Sequence, residues 1–179
     1  AAVLFLALHH LLVEPIWLRG LRGVVPAVAG GALVGIGYAE VRDRLRGPPA
    51  LRGVLYGAFA ALTLLPFVAA SALRVGGLPL PAALGFVAVP LVVVLALLFA
   101  AMRPVEGEDG AEERRRFAWG AAGLLAVNAY PGFFLLALPN LVEGRVPNPW
   151  PMPLALMVIF LLSGALLEGL ASRPARTAA

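Results

Sequence analysis

The stretch RGVVPAVAGGALVGIGYAEVRDRLRGPPALRGVLYGAFAA, Arg22 to Ala61, decides the fold. Its first half carries Ala27, Gly31, Gly35 and Ala39 at four-residue intervals, and its second half repeats the spacing at Gly53, Gly57 and Ala61. Residues four apart share one face of a helix, so each half presents a stripe of small side chains along which another helix can approach closely. At ~5.4 Å per turn the first stripe runs about 16 Å. Between the halves lie Arg42, Asp43, Arg44, Arg46 and Arg52, with Gly47, Pro48 and Pro49, a basic turn rich in helix-breaking residues. Two apolar helices joined by such a turn form a membrane hairpin. The expected arrangement packs the two stripes against each other, the alternative being that one of them docks a second subunit.

Outside that hairpin the composition points the same way. With 61% hydrophobic and 13% charged residues and a mean hydropathy of +0.90, the chain is far more apolar than a soluble domain, about a quarter of which is charged. Six apolar segments stand out, Ala1–Trp17, Gly23–Glu40, Gly53–Leu73, Pro81–Met102, Phe117–Leu138 and Met152–Ala171. Each is close to the ~20 residues that a spanning helix needs. None alternates apolar and polar residues as a barrel strand does. The expected fold is therefore all-α, a polytopic integral membrane helix bundle of about six transmembrane helices forming one domain over residues 1–179. The chain opens at Ala1 on an apolar run only just long enough to span, so a first helix truncated at its N-terminus is expected.

Orientation follows from arginine, since short cytoplasmic loops carry the excess of positive charge. The turns after the second and fourth segments and the C-terminal tail hold ten: Arg42, Arg44, Arg46, Arg52, Arg103, Arg114, Arg115, Arg116, Arg173 and Arg176. The turns after the first, third and fifth hold four, Arg19, Arg22, Arg74 and Arg145. Both termini are thereby placed inside, in the cytoplasmic (inner) membrane of a bacterium. Trp17 and Trp150 then fall at the outer boundary and Trp119 at the inner one. The net charge of +4 is confined to short turns, with no groove-reading motif or stacking platform, which argues against nucleic acid as a partner. The bilayer is the partner expected, with a membrane protein or a second copy of the chain as further ones.

The longest polar segment, Arg103–Arg116, carries Asp109 and Glu112 at capping-box spacing. That spacing predicts a helix beginning there, inside the cytoplasm, with Glu112 paired to Arg116 one turn on. Pro139, Pro147, Pro149, Pro151 and Pro153 make the last outer turn extended and stiff.

Ionisable and strongly polar groups are costly inside a bilayer, so the few present are the candidates for function. They are His9, His10 and Glu14 in the first segment, Asn128 and Tyr130 in the fifth and Glu168 in the sixth, with Glu40 closing the second. His10 and Glu14, four residues apart, share a helix face and can hold a cation or pass a proton. Two ligands do not complete a metal site, so metal binding stays open, and the adjacent histidines cannot grip a haem iron from opposite sides. Cysteine is absent, which excludes thiolate chemistry, and no cofactor is expected. Glu14 is also placed to pair with Arg19 or Arg22, and Glu40 with Arg42 or Arg44. Glu168 lies about a turn inside Arg173, deep enough to need a partner. Pro131 would open a kink beside Asn128 and Tyr130, giving either a substrate contact or, from Asn128, a hydrogen bond that glues two helices.

No nucleophile elbow, zinc-protease motif or phosphate loop appears, so an enzyme is not the expected reading. The leading expectation is a transporter, or the membrane subunit of one, for a small solute or cation, using His10, Asn128, Tyr130 and Glu168. A non-catalytic assembly or scaffold subunit is the alternative, and a membrane enzyme acting on a lipid or quinone ranks third. The orientation is open to direct measurement: a reporter active only outside the cytoplasm stays silent when fused after Ala179 and is active when inserted within 139–153. The reverse pattern overturns the topology.

Overall fold

The computed structural model describes residues 17–128, together with 158–162, 164–166 and 168–169, and side chains from residue 28 onward. The described residues form four long helices, α1 (Trp17–Arg42), α2 (Pro49–Val75), α3 (Leu80–Ala101) and α4 (Gly110–Asn128), and a further helical stretch within 158–169. Among them no strand forms beyond one isolated antiparallel bridge, Leu45 to Met102. The all-α class is thus observed. Two helices, α2 and α3, are long and apolar enough to cross a membrane. The first predicted segment up to residue 16, and the second half of the fifth, lie outside the described residues.

The helix limits follow from local chemistry. α2 starts four residues before the expected Gly53, because Pro48 is extended (φ −65°, ψ 160°) and Pro49 opens the first turn, where a missing N–H costs nothing. It ends in a complete Schellman motif. The N–H of Leu78 donates to the Leu73 carbonyl (3.0 Å), that of Gly77 to Arg74 (3.1 Å), and Gly77 takes the left-handed conformation at φ 95°. α3 lies within one residue of expectation at each end. α4 begins at Gly110, where Asp109 Oδ1 accepts from the Ala111 N–H at 3.2 Å, and Arg116 Nε donates to Glu112 at 3.0 Å as the spacing predicted. Arg115 and Arg116 together hold the Glu112 carboxyl down to about 2, well below the usual carboxylate range. The expectation of a turn carrying Arg19 and Arg22 is corrected, since both lie within α1. Arginine is a good helix former, and Gly20 and Gly23 without a proline beside them do not stop a helix.

α2 is the hub, in contact with α3, α4 and the 158–169 stretch, while α1 packs mainly along α4. The shared core joins Val34, Tyr38 and Val41 of α1 to Tyr56, Ala60, Ala61 and Leu64 of α2, with Leu98, Leu124, Val127 and Phe160. Phe99 and Phe117 meet edge to face at 5.0 Å, tying α3 to α4.

The two small-residue stripes do not face each other. A Cβ on Gly37 would lie 2.6 Å from the Trp119 carbonyl oxygen and 2.8 Å from Gly123 Cα, so α1 and α4 approach backbone to backbone there. A Cβ on Gly57 would lie 2.5 Å from the Phe160 carbonyl, and Gly53 meets Gly164 in the same way. The α2 stripe therefore serves the 158–169 stretch, with Ala61 buried at 3% exposure. On α1 the buried row is Gly30, Val34, Gly37 and Val41. Gly35 and Ala39 are exposed, Gly31 is half-buried, and nothing lies within 4 Å of a Cβ on Gly35. The reason is geometric: residues 35 and 37 sit about 200° apart at 100° per residue, and α1 uses the row where Gly37 meets Gly123.

α3 has an almost uncovered apolar surface. Of its side chains only Ala83, Val94 and Leu98 are buried, while Val89 and Val92 are each 66% exposed and Leu84, Phe86, Val93 and Leu97 are exposed beside them. A continuous apolar face of this kind suits hydrocarbon. The contrast between glycine rows is testable in detergent: Gly57→Leu lowers Tm by roughly 4–12 °C, the shift that a ~2–3 kcal/mol cost of overpacking gives in a chain of this size, and Gly35→Leu leaves it unchanged. Equal effects of the two substitutions would refute the assignment of buried faces.

Candidate functional site

Ion pairs concentrate where α1, α2 and the 158–169 stretch converge. Glu168 is only 2% exposed. Its carboxylate accepts from the Tyr38 hydroxyl, from Arg42 Nε at 3.2 Å and, more loosely, from Arg42 Nη2 at 3.4 Å. Arg52 Nη2 stands 3.5 Å from its other oxygen and reaches Asp43 with Nη1 at 3.6 Å. One carboxylate thus fastens the last turn of α1 and the first turn of α2 to the 158–169 stretch. Burial of a lone carboxylate is costly, and two guanidinium groups plus a phenol are what make this one tolerable. Gly53, one residue from Arg52, provides the room, since a Cβ there would stand 2.9 Å from Glu168 Cβ.

Deeper along α2, Tyr56 packs edge to face on Tyr38, with ring centroids 5.3 Å apart. Its hydroxyl is buried in the notch left by two glycines, 2.9 Å from a Cβ position on Gly37 and 2.6 Å from one on Gly123. It has no hydrogen-bond partner among the described residues.

A second polar cluster lies beyond it. Asn128, fully buried, donates to the Ala60 carbonyl at 2.8 Å, to Thr63 Oγ1 and to the Leu124 carbonyl of its own helix at 2.9 Å. Thr63 in turn donates to Ala60 at 2.8 Å. These bonds hold α4 to α2, the glue that the sequence offered as one of the two roles for Asn128. Seven residues of α2 separate Gly53 from Ala60, about 10 Å at ~1.5 Å per residue, so Glu168 and Asn128 occupy different clusters and do not form one site.

The third network is peripheral. Arg44, 2% exposed, pairs with Glu108, which also faces Arg116 at 3.4 Å, and Arg116 continues to Glu112 and Arg115. Its effect is to pin the loop before α4 onto the turn between α1 and α2.

His9, His10, Glu14 and Tyr130 lie outside the described residues. Glu40, half-buried, does not take the expected arginines, because Arg42 goes to Glu168 and Arg44 to Glu108. Among the described residues no three of His, Cys, Asp and Glu come together as a metal site. Sequence reasoning passed over Tyr38, Arg42 and Arg52 as partners of Glu168, and Thr63 as partner of Asn128. Thr63 had a visible signal, being a hydroxyl in the middle of an otherwise apolar run; the pairing of Arg42 with Glu168 spans 126 residues and had none.

Comparison with protein-family models, curated proteins and solved structures finds no match.

Because the Glu168 and Asn128 clusters share no partner among the described residues, their contributions to stability are expected to add. Glu168→Ala and Asn128→Ala each cost roughly 1–3 kcal/mol, the range for stranding buried partners, and the double variant loses the sum within about 0.5 kcal/mol. A coupling of 1 kcal/mol or more in reversible unfolding would show the two clusters to be one unit.

Proposed function

We propose that this chain is a polytopic bacterial inner-membrane protein that works as a non-catalytic assembly subunit, a fixed helix bundle against which another membrane component docks. The observation that carries this reading is the use made of the two polar candidates in the described interior. Asn128 is engaged by α2 and its own helix, and Glu168 by Tyr38, Arg42 and Arg52. Groups engaged in this way hold helices in register. The outward row of α1, with Gly35 and Ala39 exposed, supports the same reading, since small residues on an uncovered helix let a partner helix come close.

Transport of a small solute or cation is the second reading, favoured by one observation. Glu168 draws together elements far apart in sequence through an ion pair whose partners sit at the ends of helices, an arrangement that can open and close as a gate. In that case His9, His10, Glu14 and Tyr130 supply the contacts along the pathway. The third reading, an enzyme acting on a lipid or quinone, is supported by no arrangement of side chains among the described residues.

The two leading readings separate experimentally. Gly35→Leu, expressed in the native host, loses co-purifying membrane proteins at least about fivefold while Tm stays unchanged. Retained partners in that variant, combined with loss of solute uptake in a folded Glu168→Gln variant, would replace assembly by transport.

A further inference from the structure

We propose that Arg46 and Arg103 form a binding site for the phosphate of an anionic phospholipid headgroup in the inner leaflet. The proposal rests on the membrane reading and on the inside orientation of the basic turns. Arginines on this side of the molecule fall into two groups. Arg42 and Arg52 face Glu168, Arg44 and Arg116 face Glu108, and Arg115 faces Glu112. Arg46, Arg103 and Arg114 are exposed and face no carboxylate among the described residues, and of the three only Arg46 and Arg103 flank the same backbone bridge. Glu106, three residues beyond Arg103, is exposed and pairs with neither.

The backbone brings the two together from separate loops. Arg103 N–H donates to the Arg44 carbonyl at 2.8 Å, beside the antiparallel bridge between Leu45 and Met102. Leu45 and Met102 are 2% and 3% exposed, so one face of the bridge is sealed into the core. Arg46 follows Leu45 and Arg103 follows Met102, and both are exposed, so they lie on the side of the bridge away from the core, with the buried Arg44 beneath. Arg44 adds positive potential there: its Nε and Nη1 are buried without an acceptor among the described residues, and Glu108 is shared with Arg116.

Depth selects a lipid as the source of the phosphate. Val93, Leu97 and Phe99 expose an apolar face along the last turns of α3, which ends at Ala101. From Phe99 to Arg103 the chain climbs about 10 Å, two helical residues and two extended ones. The headgroup layer occupies roughly the first 5–8 Å outside the hydrocarbon core. With Phe99 in the last few ångströms of the hydrocarbon, that climb brings Arg103 into the phosphate layer, and the planar guanidinium fork is suited to grip phosphate oxygens.

The test compares full-length protein in bilayer discs of phosphatidylcholine containing a minor fraction of phosphatidylglycerol, with the lipid retained on the protein read by native mass spectrometry. Wild type enriches phosphatidylglycerol, and Arg46→Gln/Arg103→Gln reduces that enrichment by about tenfold or more, since each arginine near an anionic surface is worth roughly fivefold. A charge-matched control, Arg114→Gln/Arg115→Gln, keeps the enrichment. Equal loss in both doubles would reduce the effect to diffuse surface charge and overturn the site, as would undiminished enrichment in Arg46→Gln/Arg103→Gln. Displacement of the lipid by inorganic phosphate would also overturn it, by marking a free-phosphate site. Failure of the wild-type chain to insert into bilayers at all would instead remove the membrane reading on which the proposal rests.

Discussion

Close approach of backbones at glycine is the constraint on which the rest of this structure depends. In a bilayer, apolar side chains gain little by leaving lipid for one another, so helices associate through dense contact and interhelical hydrogen bonds. Gly37 against Gly123, and Gly53 and Gly57 against 160–164, supply that contact at two crossings. The polar clusters then fall where those crossings allow. Glu168 reaches Tyr38 and Arg42 because Gly53 lets its helix lie flat on α2, and Tyr56 buries its hydroxyl only because Gly37 and Gly123 lack side chains.

Much of the helical framework is legible in the sequence because its signals are local. The apolar run of α3, the proline-marked start and glycine-marked end of α2, and the cap at Asp109 each depend on residues a few positions apart. Glu168 could be recognised as needing a partner from its burial in an apolar segment alone. Which partner it takes could not be read, since Arg42 and Arg52 lie more than a hundred positions away and compete with Glu40 and Asp43 as local alternatives. The glycine stripes failed for a related reason. α1 contains two rows of small residues, Gly31 with Gly35 and Gly30 with Gly37, and spacing does not choose between them. The choice is made by Gly120 and Gly123 on α4, a helix that enters the chain seventy residues later.

The three polar networks divide the labour of holding the bundle. Asn128 and Thr63 act between α2 and α4, where the amide N–H groups and the hydroxyl find acceptors while Asn128 Oδ1 has none among the described residues. Glu168 acts among three elements, with charge that needs its counter-charges in place. The chain of ion pairs from Arg44 to Arg115 runs from a buried guanidinium out to solvent, where individual pairs are weak and the network matters more than any member.

The bridge between Leu45 and Met102 has a mechanical consequence. It stitches the turn that follows α1 to the turn that follows α3, with both side chains sealed into the core and Arg44 clamped beneath Glu108. The turn after α2, by contrast, is a free-standing Schellman cap closed by its own backbone. Among the described residues the bundle is therefore cross-braced at one end and not at the other. Relative motion of the described helices is restrained at the stitched end and has its greatest freedom at the opposite end.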